Sequence, residues 1–514
     1  MTDLPETSNR RVPRDFGDLR GWIDALIQEG EMHQVDVEVD WDCELGAIAR
    51  KTFGNGDGPA LLFNNIKGYG PDDDVWSHRL FTGGMSNYSR IAMTLGLPKD
   101  ASVRDMIQAC RHYMTQRVAP VKVETGKVKE IKHTGNDIDL YKLPVPRWHR
   151  HDGGRYINTY QATVTMDPIT GVHNVGLYRG MLGEKPDTLP VLLWTAQNWG
   201  THFEEWKKKG QKMPVAHVYG YEPSMTFCAS APVPTGVCEY DVMGAIRGTP
   251  VPLVKCETVD LWVPADAEMV IEGYIDDDPA TFEMEGPFGE YTGYFGGDQG
   301  PKHVTKVTCV THRKDPIYRG TLEGTLPKML NENSVTSSIQ RAGVAWNVLE
   351  RAGVPGITDV HCAPANNGTT LMIQMHQTYR GQAKQAAAAI WGSNASHLRY
   401  KNIWVVDEDI DIRDYGALDW ALAYRVNASE DDIVFFPSTW GSLLDPSTRL
   451  SDRDPFLYGT GKWTRMLIDA TINLDFEPEE QYQGNRYPRM VIPADEDRDL
   501  VNQRWEEYGF EPDC

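Results

Sequence analysis

The stretch Glu285-Gly-Pro-Phe-Gly-Glu290, followed by Tyr291-Thr-Gly-Tyr-Phe-Gly-Gly297, is the segment on which the interpretation of this chain depends. Gly286 and Gly289 permit backbone angles that other residues disfavour, and Pro287 fixes φ and donates no N–H. Such a segment suits neither a helix nor a strand. We therefore predict a rigid turn that holds the two glutamates close together.

A pair of acids in one pocket has a characteristic chemistry. Both groups cannot ionise freely, so the pKa of one of them rises. A carboxylic acid that stays protonated near neutral pH is a ready proton donor. The alternative is a surface turn with two solvated acids. The Gly, Pro and Phe between Glu285 and Glu290 favour a packed turn.

Composition places the chain among ordinary globular proteins. Its 514 residues suffice for several domains, and 40% are hydrophobic and 24% charged. The net charge of −22 argues against nucleic acid or an anionic membrane as the main partner, since both need clustered Lys and Arg. The first residues have no apolar core, and no run approaches the length of a membrane span. We expect a cytoplasmic protein.

The cysteines point to the same compartment. No two of them form a C-x-x-C pair, and their irregular spacing fits reduced thiols better than disulfides or a zinc site. They are Cys43, Cys110, Cys228, Cys238, Cys256, Cys309, Cys362 and Cys514.

Hydrophobic periodicity divides the chain into three regions. Residues 1–120 read as a small α/β domain, with a helix over Leu19–Ile27 and a strand over Val35–Val39. Residues 121–330 contain short strands separated by Gly and Pro, among them Val191–Trp194, which predicts an antiparallel barrel or sandwich. Residues 331–514 read as α/β again, ending in a helix around Trp505 that docks on the domain.

Three further segments are candidates for binding. Arg179 ends a Gly-containing strand and can grip a carboxylate with two parallel hydrogen bonds, although a surface salt bridge is the alternative. The small-residue loop from Phe227 to Glu239 can surround a hard cation with oxygens, or be purely structural. Gly459-Thr-Gly-Lys462 can meet a phosphate but lacks the spacing of a P-loop. The run Trp148-His-Arg-His-Asp152 is an unlikely metal site, because adjacent histidines point apart.

Taken together, these segments resemble the UbiD family of reversible decarboxylases, which use prenylated flavin mononucleotide (FMN). The likeness spans nearly the whole chain. It runs from Leu143-Pro144 and Arg155–Tyr160 through Asn174–Arg179, the loop to Glu239 and the Glu285–Glu290 motif. It continues through Asp409–Asp414 to Lys462.

The resemblance implies specific roles. The family's Arg-Glu-Glu triad falls on Arg179, Glu285 and Glu290. Arg179 would grip the substrate carboxylate, Glu285 would orient Arg179, and Glu290 would protonate the carbon that CO2 leaves. The cofactor-binding positions implied are Asn174, Val175, Gly176, Leu177, Tyr178, Arg179, Gln197, Asn198, Ser230, Ala231, Glu239 and Lys462, the last reaching the phosphate.

The same resemblance implies two cations beside that phosphate. Asn174 and Glu239 match two ligands of a divalent ion, Mn²⁺ or Mg²⁺. The third ligand is usually a His after a Gln, but here Asn198 follows Gln197, and His202 one turn later is a possible substitute. Potassium would be held mainly by backbone carbonyls near Cys228, Ala229 and Ala231, with Glu239.

The implied fold is mixed α/β and β in three parts: an N-terminal α/β domain, a flavin-binding split β-barrel, and a C-terminal α/β domain that mediates oligomerisation. The implied partners are an aromatic carboxylic acid, CO2, a flavin prenyltransferase that supplies the cofactor, and further copies of the chain in a homodimer or homohexamer. Neither nucleic acid nor membrane is expected.

Substrate identity stays open. Small residues over Gly320–Thr325 suggest room for a fused-ring acid of the phenazine-carboxylic type, while a monocyclic aromatic, pyrrole- or furan-type acid or an acrylic acid is the alternative. Two other classes of function compete. A glycoside hydrolase would use the two glutamates as acid and nucleophile but leaves Arg179 unexplained. A catalytically silent binding protein with this fold would tolerate Asn198.

Overall fold

The N-terminal region builds a mixed four-stranded sheet. The computed structural model describes residues 14–234, 236–297, 299–453 and 461–511. Strands β1 and β2 are parallel, β2 and β3 antiparallel, and β3 pairs in parallel with a strand from far along the chain, β18. The strands are β1 (Met32–Val35), β2 (Ala60–Phe63), β3 (Arg79–Thr82) and β18 (Ile317–Arg319). The helices are α1 (Leu19–Gln28), α2 (Glu44–Phe53), α3 (Tyr88–Thr94) and α4 (Val103–Tyr113).

Two expectations for this region have different outcomes. The helix expected over Leu19–Ile27 is present, because Asp18 caps its first turn and its apolar face, including Trp22, is buried. The strand expected over Val35–Val39 is wrong beyond Val35. Val37 is 72% exposed, and Val39 makes only an isolated bridge with Ile66.

The middle region is built on an antiparallel seven-stranded sheet. Its strands run in the order β5-β17-β12-β9-β6-β7, and β8 also pairs with β17. All these pairs are antiparallel, as the short Gly- and Pro-bounded strands predicted. Closure into a barrel stays a prediction. The strands are β5 (Ile131–Thr134), β6 (Ala162–Met166), β7 (His173–Gly176), β8 (Thr188–Pro190), β9 (Met213–Tyr219), β12 (Met269–Ile275) and β17 (Val304–His312).

Smaller elements surround this sheet. A three-stranded sheet and two hairpin-like pairs, β13 with β16 and β14 with β15, carry the loops that matter for the site. They are β4 (Val121–Lys122), β10 (Pro252–Lys255), β11 (Trp262–Pro264), β13 (Glu283–Glu285), β14 (Phe288–Gly289), β15 (Phe295–Gly296) and β16 (Gly300–Lys302). The helices are α5 (Asn198–Lys208), α6 (Pro223–Ala229) and α7 (Glu239–Arg247).

The strand expected over Val191–Trp194 is displaced toward the N-terminus. Strand β8 ends at Pro190, and Val191 makes only an isolated bridge with Gly180. Leu192 and Trp194 instead line a cavity, which explains why they are apolar without belonging to a sheet.

The C-terminal region is an α/β layer around a five-stranded sheet in the order β19-β20-β21-β23-β22, whose three central strands are parallel. The strands are β19 (Ile357–His361), β20 (Thr370–Met375), β21 (Asn402–Asp407), β22 (Ile433–Gly441) and β23 (Gly461–Ala470). The helices are α8 (Glu332–Arg351), α9 (Gln382–Trp391), α10 (Tyr415–Arg425) and α11 (Asp495–Gln503).

Helix α8 joins the regions to one another. It is largely buried and packs against α4 and β19. At its start, Glu332 pairs with Arg319 of β18 at 2.6 Å and accepts the main-chain N–H groups of Gly83 and Met85. A buried carboxylate satisfied by a guanidinium and two amides is a strong local constraint. It fixes the end of β18 and the segment that follows.

The last residues do not form the docked helix expected around Trp505. Trp505–Tyr508 is a single 3₁₀ turn, Trp505 stacks on Phe510 at 4.4 Å, and Phe510 is 55% exposed. Within the described ranges, no helix is long and apolar enough to cross a membrane. None of the seven cysteines in those ranges forms a disulfide.

Candidate active site

The turn from Glu285 to Glu290 is braced by a neighbouring loop. Glu285 ends β13, Glu290 follows β14, and the intervening Gly286–Pro287 peptide is cis, with Gly286 at φ +92°. Gly153 donates its N–H to Pro287 O at 2.7 Å, and a Cβ on Gly153 would lie 1.9 Å from Gly286 O. Asp152 Oδ1 accepts the N–H of Gly289 at 2.9 Å. The close approach therefore requires glycine at position 153.

Arg179 meets both acids of this turn. Its Nη2 lies 2.9 Å from Glu285 Oε2, and its Nη1 lies 2.6 Å from Glu290 Oε1. Nη1 also donates to Gly296 O at 3.1 Å. All three side chains are buried, so one guanidinium and two carboxyls, distant in sequence, share one desolvated site. The structure brings the three predicted residues together.

Glu285 has a second partner that sequence reasoning missed. The hydroxyl of Tyr156 donates to Glu285 Oε1 at 2.8 Å, and its ring packs on Phe288 with centroids 4.2 Å apart. Glu285 is thus held from both of its oxygens, by Arg179 and by Tyr156. A carboxylate held in this way fixes the orientation of Arg179.

The electrostatics separate the two glutamates. Burial raises the pKa of Glu290, and the nearby charge of Glu285 raises it further against the opposing pull of Arg179. For Arg179, burial acts to lower the pKa, but Glu285 and Glu290 outweigh it and raise the pKa. The arrangement therefore offers a fixed guanidinium that can pair with a carboxylate and, beside it, an acid that favours its protonated form.

Arg179 and Glu290 line a cavity of about 150 Å³, whereas Glu285 pairs with Arg179 without lining the cavity itself. The lining combines apolar side chains with Arg179, Glu290 and one further acid, Glu323. The complete lining is Asn158, Thr159, Leu177, Tyr178, Arg179, Leu192, Trp194, Gln197, Phe288, Glu290, Tyr291, Glu323, Asn333, Leu398, Arg399 and Leu444.

A second, larger cavity of about 850 Å³ adjoins the first. Tyr178, Gln197 and Leu398 line both. The predicted cofactor and metal positions Asn174, Asn198, Ser230 and Ala231 line the larger one, as does His202.

The predicted divalent-metal residues are adjacent. Asn198 Nδ2 donates to Asn174 Oδ1 at 3.0 Å, and Asn174 Nδ2 donates to Tyr178 Oη at 3.1 Å. Asn198 is exposed at the start of α5, and the ring of His202, on the same helix, meets Thr165 Oγ1 at 2.9 Å. Both candidates for the third ligand therefore face the same cavity.

Glu239 is the acid of this group. It is buried, and its Oε2 accepts the N–H of Val175 at 2.8 Å. Burial raises the pKa of Glu239 to about 8, because no cationic side chain within the described ranges pairs with it. A buried carboxyl with oxygen-rich neighbours and no counter-ion suits a bound cation. The same ranges hold no cluster of three or more His, Cys, Asp or Glu that could bind a metal ion.

The predicted potassium positions lie at the end of α6. Cys228 and Ala229 are its last residues, and their carbonyl oxygens accept the N–H groups of Ala231 and Leu177. Helix C-terminal carbonyls carry partial negative charge and retain a free lone pair. Strand β7 ends at Gly176, and the next residue, Leu177, which lines the smaller cavity, donates its N–H to Ala229 O.

A cation that sequence reasoning missed lines the larger cavity. Arg341 of α8 forms no salt bridge within the described ranges, and its Nε has no hydrogen-bond partner there. Burial lowers the pKa of Arg341 to about 9, with a further contribution from Arg399. An unneutralised guanidinium in a protein with a net charge of −22 is suited to bind an anion.

Lys462, predicted to reach a phosphate, has a different setting. It is exposed on β23 opposite Trp440 and lines neither cavity. The preceding Gly459 and Thr460 lie outside the described residues. Its role stays a prediction.

Three family models match the chain. They are the N-terminal, Rift-related and C-terminal domains of 3-octaprenyl-4-hydroxybenzoate carboxy-lyase (UbiD), over residues 23–110, 119–326 and 334–470. Among curated proteins, the pyrrole-2-carboxylic acid decarboxylase of Pseudomonas aeruginosa is 31% identical, covering 96% of this chain and 98% of its own length.

Solved structures of decarboxylases and UbiD-class enzymes are similar to this chain over almost its whole length. The UbiD-class enzyme HmfF of Pelotomaculum thermopropionicum, solved in complex with FMN, is 31% identical with a TM-score of 0.74, covering 93% of this chain and 98% of its own. An evolved dimeric form of HmfF is solved with prenylated FMN. The vanillic acid decarboxylase of Sedimentibacter hydroxybenzoicus in closed form is 28% identical with a TM-score of 0.84, covering 97% of this chain and all of its own.

Proposed function

This chain belongs to the UbiD family of carboxy-lyases, and we propose that it removes CO2 from an aromatic or heteroaromatic carboxylic acid with the help of bound prenylated FMN. The observation that carries the proposal is the pairing of Arg179 with both Glu285 and Glu290 at a cavity that Arg179 and Glu290 line. Membership of a carboxy-lyase family rules out the glycoside-hydrolase interpretation of the two glutamates.

The residues around the two cavities fit a flavin with a phosphate. The larger cavity offers Arg341 as an unneutralised cation for the phosphate and Asn174 as a ligand for a divalent ion bound to it. Glu239, whose carboxylate accepts the N–H of the neighbouring Val175, would be the acidic ligand of that ion. The backbone at Cys228, Ala229 and Ala231 would hold potassium. Tyr178, Gln197 and Leu398 line both cavities, so one cofactor could contact the residues of both. When bound, prenylated FMN supplies the electron sink that a carbanion on an aromatic ring carbon needs.

The side chains of the chain perform the remaining steps. Arg179 binds and orients the substrate carboxylate, while Glu285, held by Tyr156, keeps the guanidinium in place. Apolar walls at Leu192, Trp194 and Phe288 exclude water as CO2 leaves. Glu290 donates its proton to the carbon that carried CO2 and regains one from solvent.

Cavity size bears on the substrate. The active-site cavity of about 150 Å³ lies below the range of about 300–1,000 Å³ typical of pockets for drug-sized ligands. It favours a single-ring acid over the fused-ring acid suggested by the small residues of Gly320–Thr325. The relatives named above act, by their names, on pyrrole-2-carboxylic and vanillic acids, which are single-ring compounds.

One experiment tests the function directly. The chain is co-expressed with a flavin prenyltransferase, purified, and incubated with a panel of aromatic acids while CO2 release is measured. We expect a flavin absorption spectrum, the mass of the prenylated cofactor, and turnover of at least one single-ring acid. A protein that retains the cofactor but releases no CO2 from any acid would instead indicate the silent binding protein.

Gly297 offers a finer test of the Arg179 position. A Cβ at this residue would lie 2.2 Å from Arg179 Nη2, and its φ is +72°. Gly297→Ala should therefore displace the guanidinium and lower the rate of CO2 release by about 10²-fold, the scale of a 1 Å misplacement. The measurement is kcat per bound flavin.

The matched control for that variant is Gly171→Ala. Gly171 has nearly the same φ, +73°, but nothing lies within 4 Å of its added Cβ. It carries the same backbone strain, of about 1–3 kcal/mol, without contact to the site. Equal activities for the two variants would show that the methyl group added at residue 297 does not disturb Arg179.

The assembly also belongs to this proposal. The C-terminal region exposes large apolar side chains that a second copy of the chain would cover. They include Tyr424, Phe435, Phe436, Trp440 and Val491. We expect a homodimer or homohexamer formed through this region, which sedimentation would distinguish.

A further inference from the structure

Glu323 is a buried acid that the proposed mechanism does not use. It follows β18 in the segment Gly320–Thr325 and is only 7% exposed. It lines the cavity that holds Arg179 and Glu290. Its Oε2 atom is buried and has no hydrogen-bond partner within the described ranges. A buried polar atom without a partner costs free energy, which indicates that a ligand supplies the missing hydrogen bond.

The groups around Glu323 leave this oxygen free. Arg50 of α2 approaches, but its Nη2 donates to the main-chain O of Glu323 at 2.6 Å, and its Nη1 donates to Met329 O. The Asn333 side chain hydrogen-bonds to the carboxyl group, but Oε2 has no partner within the described ranges. Arg399 lines the same cavity, and its guanidinium lies over the ring of Tyr291. The main chain of residue 323 is thus held by Arg50, while its side chain lines the cavity.

Several contacts fix the segment that carries it. Thr321 N–H donates to Thr159 Oγ1 at 2.9 Å, and Gly324 takes φ +86°, where a Cβ would lie 3.2 Å from Arg50 Nη2. The upstream Arg319 is held by Glu332. These contacts hold Glu323 in a fixed position. A residue that discriminates between ligands needs such rigid support.

We propose that Glu323 Oε2 accepts a hydrogen bond from the substrate, which is an aromatic acid bearing a hydroxyl or a ring N–H. This inference rests on the proposed function and deepens it. Among the described residues lining the cavity, Glu323 is the one acid not paired with Arg179, so it is a specificity residue rather than part of the triad.

Charge arguments agree with this assignment. Burial raises the pKa of Glu323 to about 8, and the neighbouring Glu290 contributes in the same direction. The group therefore favours its neutral form, which still has a carbonyl oxygen that can accept a hydrogen bond. It adds no negative charge beside the substrate carboxylate, which a second ionised acid would repel.

The test uses matched pairs of ligands that differ in one donor. Pyrrole-2-carboxylate is compared with furan-2-carboxylate, and 4-hydroxybenzoate with 4-methylbenzoate. Dissociation constants for the flavin-loaded protein are measured by calorimetry, and flavin content by absorption. We expect the donor-bearing acid of at least one pair to bind about tenfold more tightly, the worth of one hydrogen bond to a buried group.

Two variants then test whether Glu323 causes the tighter binding of the donor-bearing acid. Glu323→Leu should reduce it to less than twofold while flavin content stays normal. Glu323→Gln keeps an amide oxygen at the same place and should retain part of it. The assignment is overturned if wild type shows no preference in either pair, if Glu323→Leu keeps it, or if Glu323→Leu loses flavin, since Glu323 would then contact the cofactor. Because the test measures binding, it decides the role of Glu323 even if the protein releases no CO2.

Discussion

Glu290→Gln should lower the rate of CO2 release by about 10²- to 10⁴-fold, the usual contribution of a general acid, while the protein retains its flavin. The amide has nearly the same shape and still accepts from Arg179 Nη1, which now lies 2.6 Å from Glu290 Oε1. It cannot give up a proton to carbon. The loss should therefore appear in kcat, measured per bound flavin, with substrate affinity little changed.

The control is Glu184→Gln, at an exposed glutamate outside the site, which should match wild type. Activity of Glu290→Gln near the wild-type level would end the assignment of Glu290 as proton donor. Normal affinity with slow turnover would support it, because a purely structural role would affect binding or folding as well.

The pH profile of the wild type provides a second measurement. Burial raises the pKa of Glu290, so its acid form persists to higher pH than that of an exposed glutamate. Since donation needs the acid form, kcat/KM should be maintained below that pKa and fall as the pH rises through it. Glu323 also titrates at about 8, so the fall should persist in Glu323→Gln if it belongs to Glu290.

Arg179→Lys should lower kcat/KM by about 10²- to 10³-fold, the effect of removing one fixed hydrogen-bond donor from a desolvated site. A lysine keeps the charge but cannot reach Glu285, Glu290 and a substrate carboxylate with one planar group. The expected loss is mainly in KM for the acid, because the carboxylate loses its paired hydrogen bonds. Steady-state kinetics on the flavin-loaded protein measure it.

Arg179→Ala is the more severe variant and needs a stability measurement beside the assay. Removing the guanidinium leaves buried Glu285 without its cation, and breaking such a pair costs about 3–5 kcal/mol. Thermal unfolding separates that loss from the catalytic one. If Arg179→Lys folds normally, binds flavin and decarboxylates at the wild-type rate, Arg179 does not grip the substrate.

The sequence predicted the parts of the site that lie within short segments. The Gly-Pro-Phe-Gly core between Glu285 and Glu290 has a local physical signature. For Arg179 and Glu239 the residues alone left structural alternatives open, and their expected roles came from the family resemblance. The three-region order of α/β, antiparallel β and α/β was also predictable, because the period of the hydrophobic pattern changes along the chain.

What the sequence could not show depends on contacts between distant segments. Tyr156, Arg341 and Glu323 have no local motif, and each acquires its importance from the groups that the fold places around it. The Gly- and Thr-rich segment around Glu323 suggested spare room, whereas in the structure it carries a carboxyl into the cavity. The prediction of a strand over Val191–Trp194 was wrong because apolar residues that line a cavity have the same sequence pattern as apolar residues of a sheet.

Strand β18 has a practical consequence for dissecting this protein. It completes the N-terminal sheet although it lies more than two hundred residues downstream of its other members. A fragment truncated at residue 120 would leave β3 with an unprotected edge, the kind of surface through which chains aggregate. Chimeras between relatives should therefore exchange Ile317–Arg319 together with the N-terminal region. Exchanging only the residues up to 120 would separate β18 from the sheet that it completes.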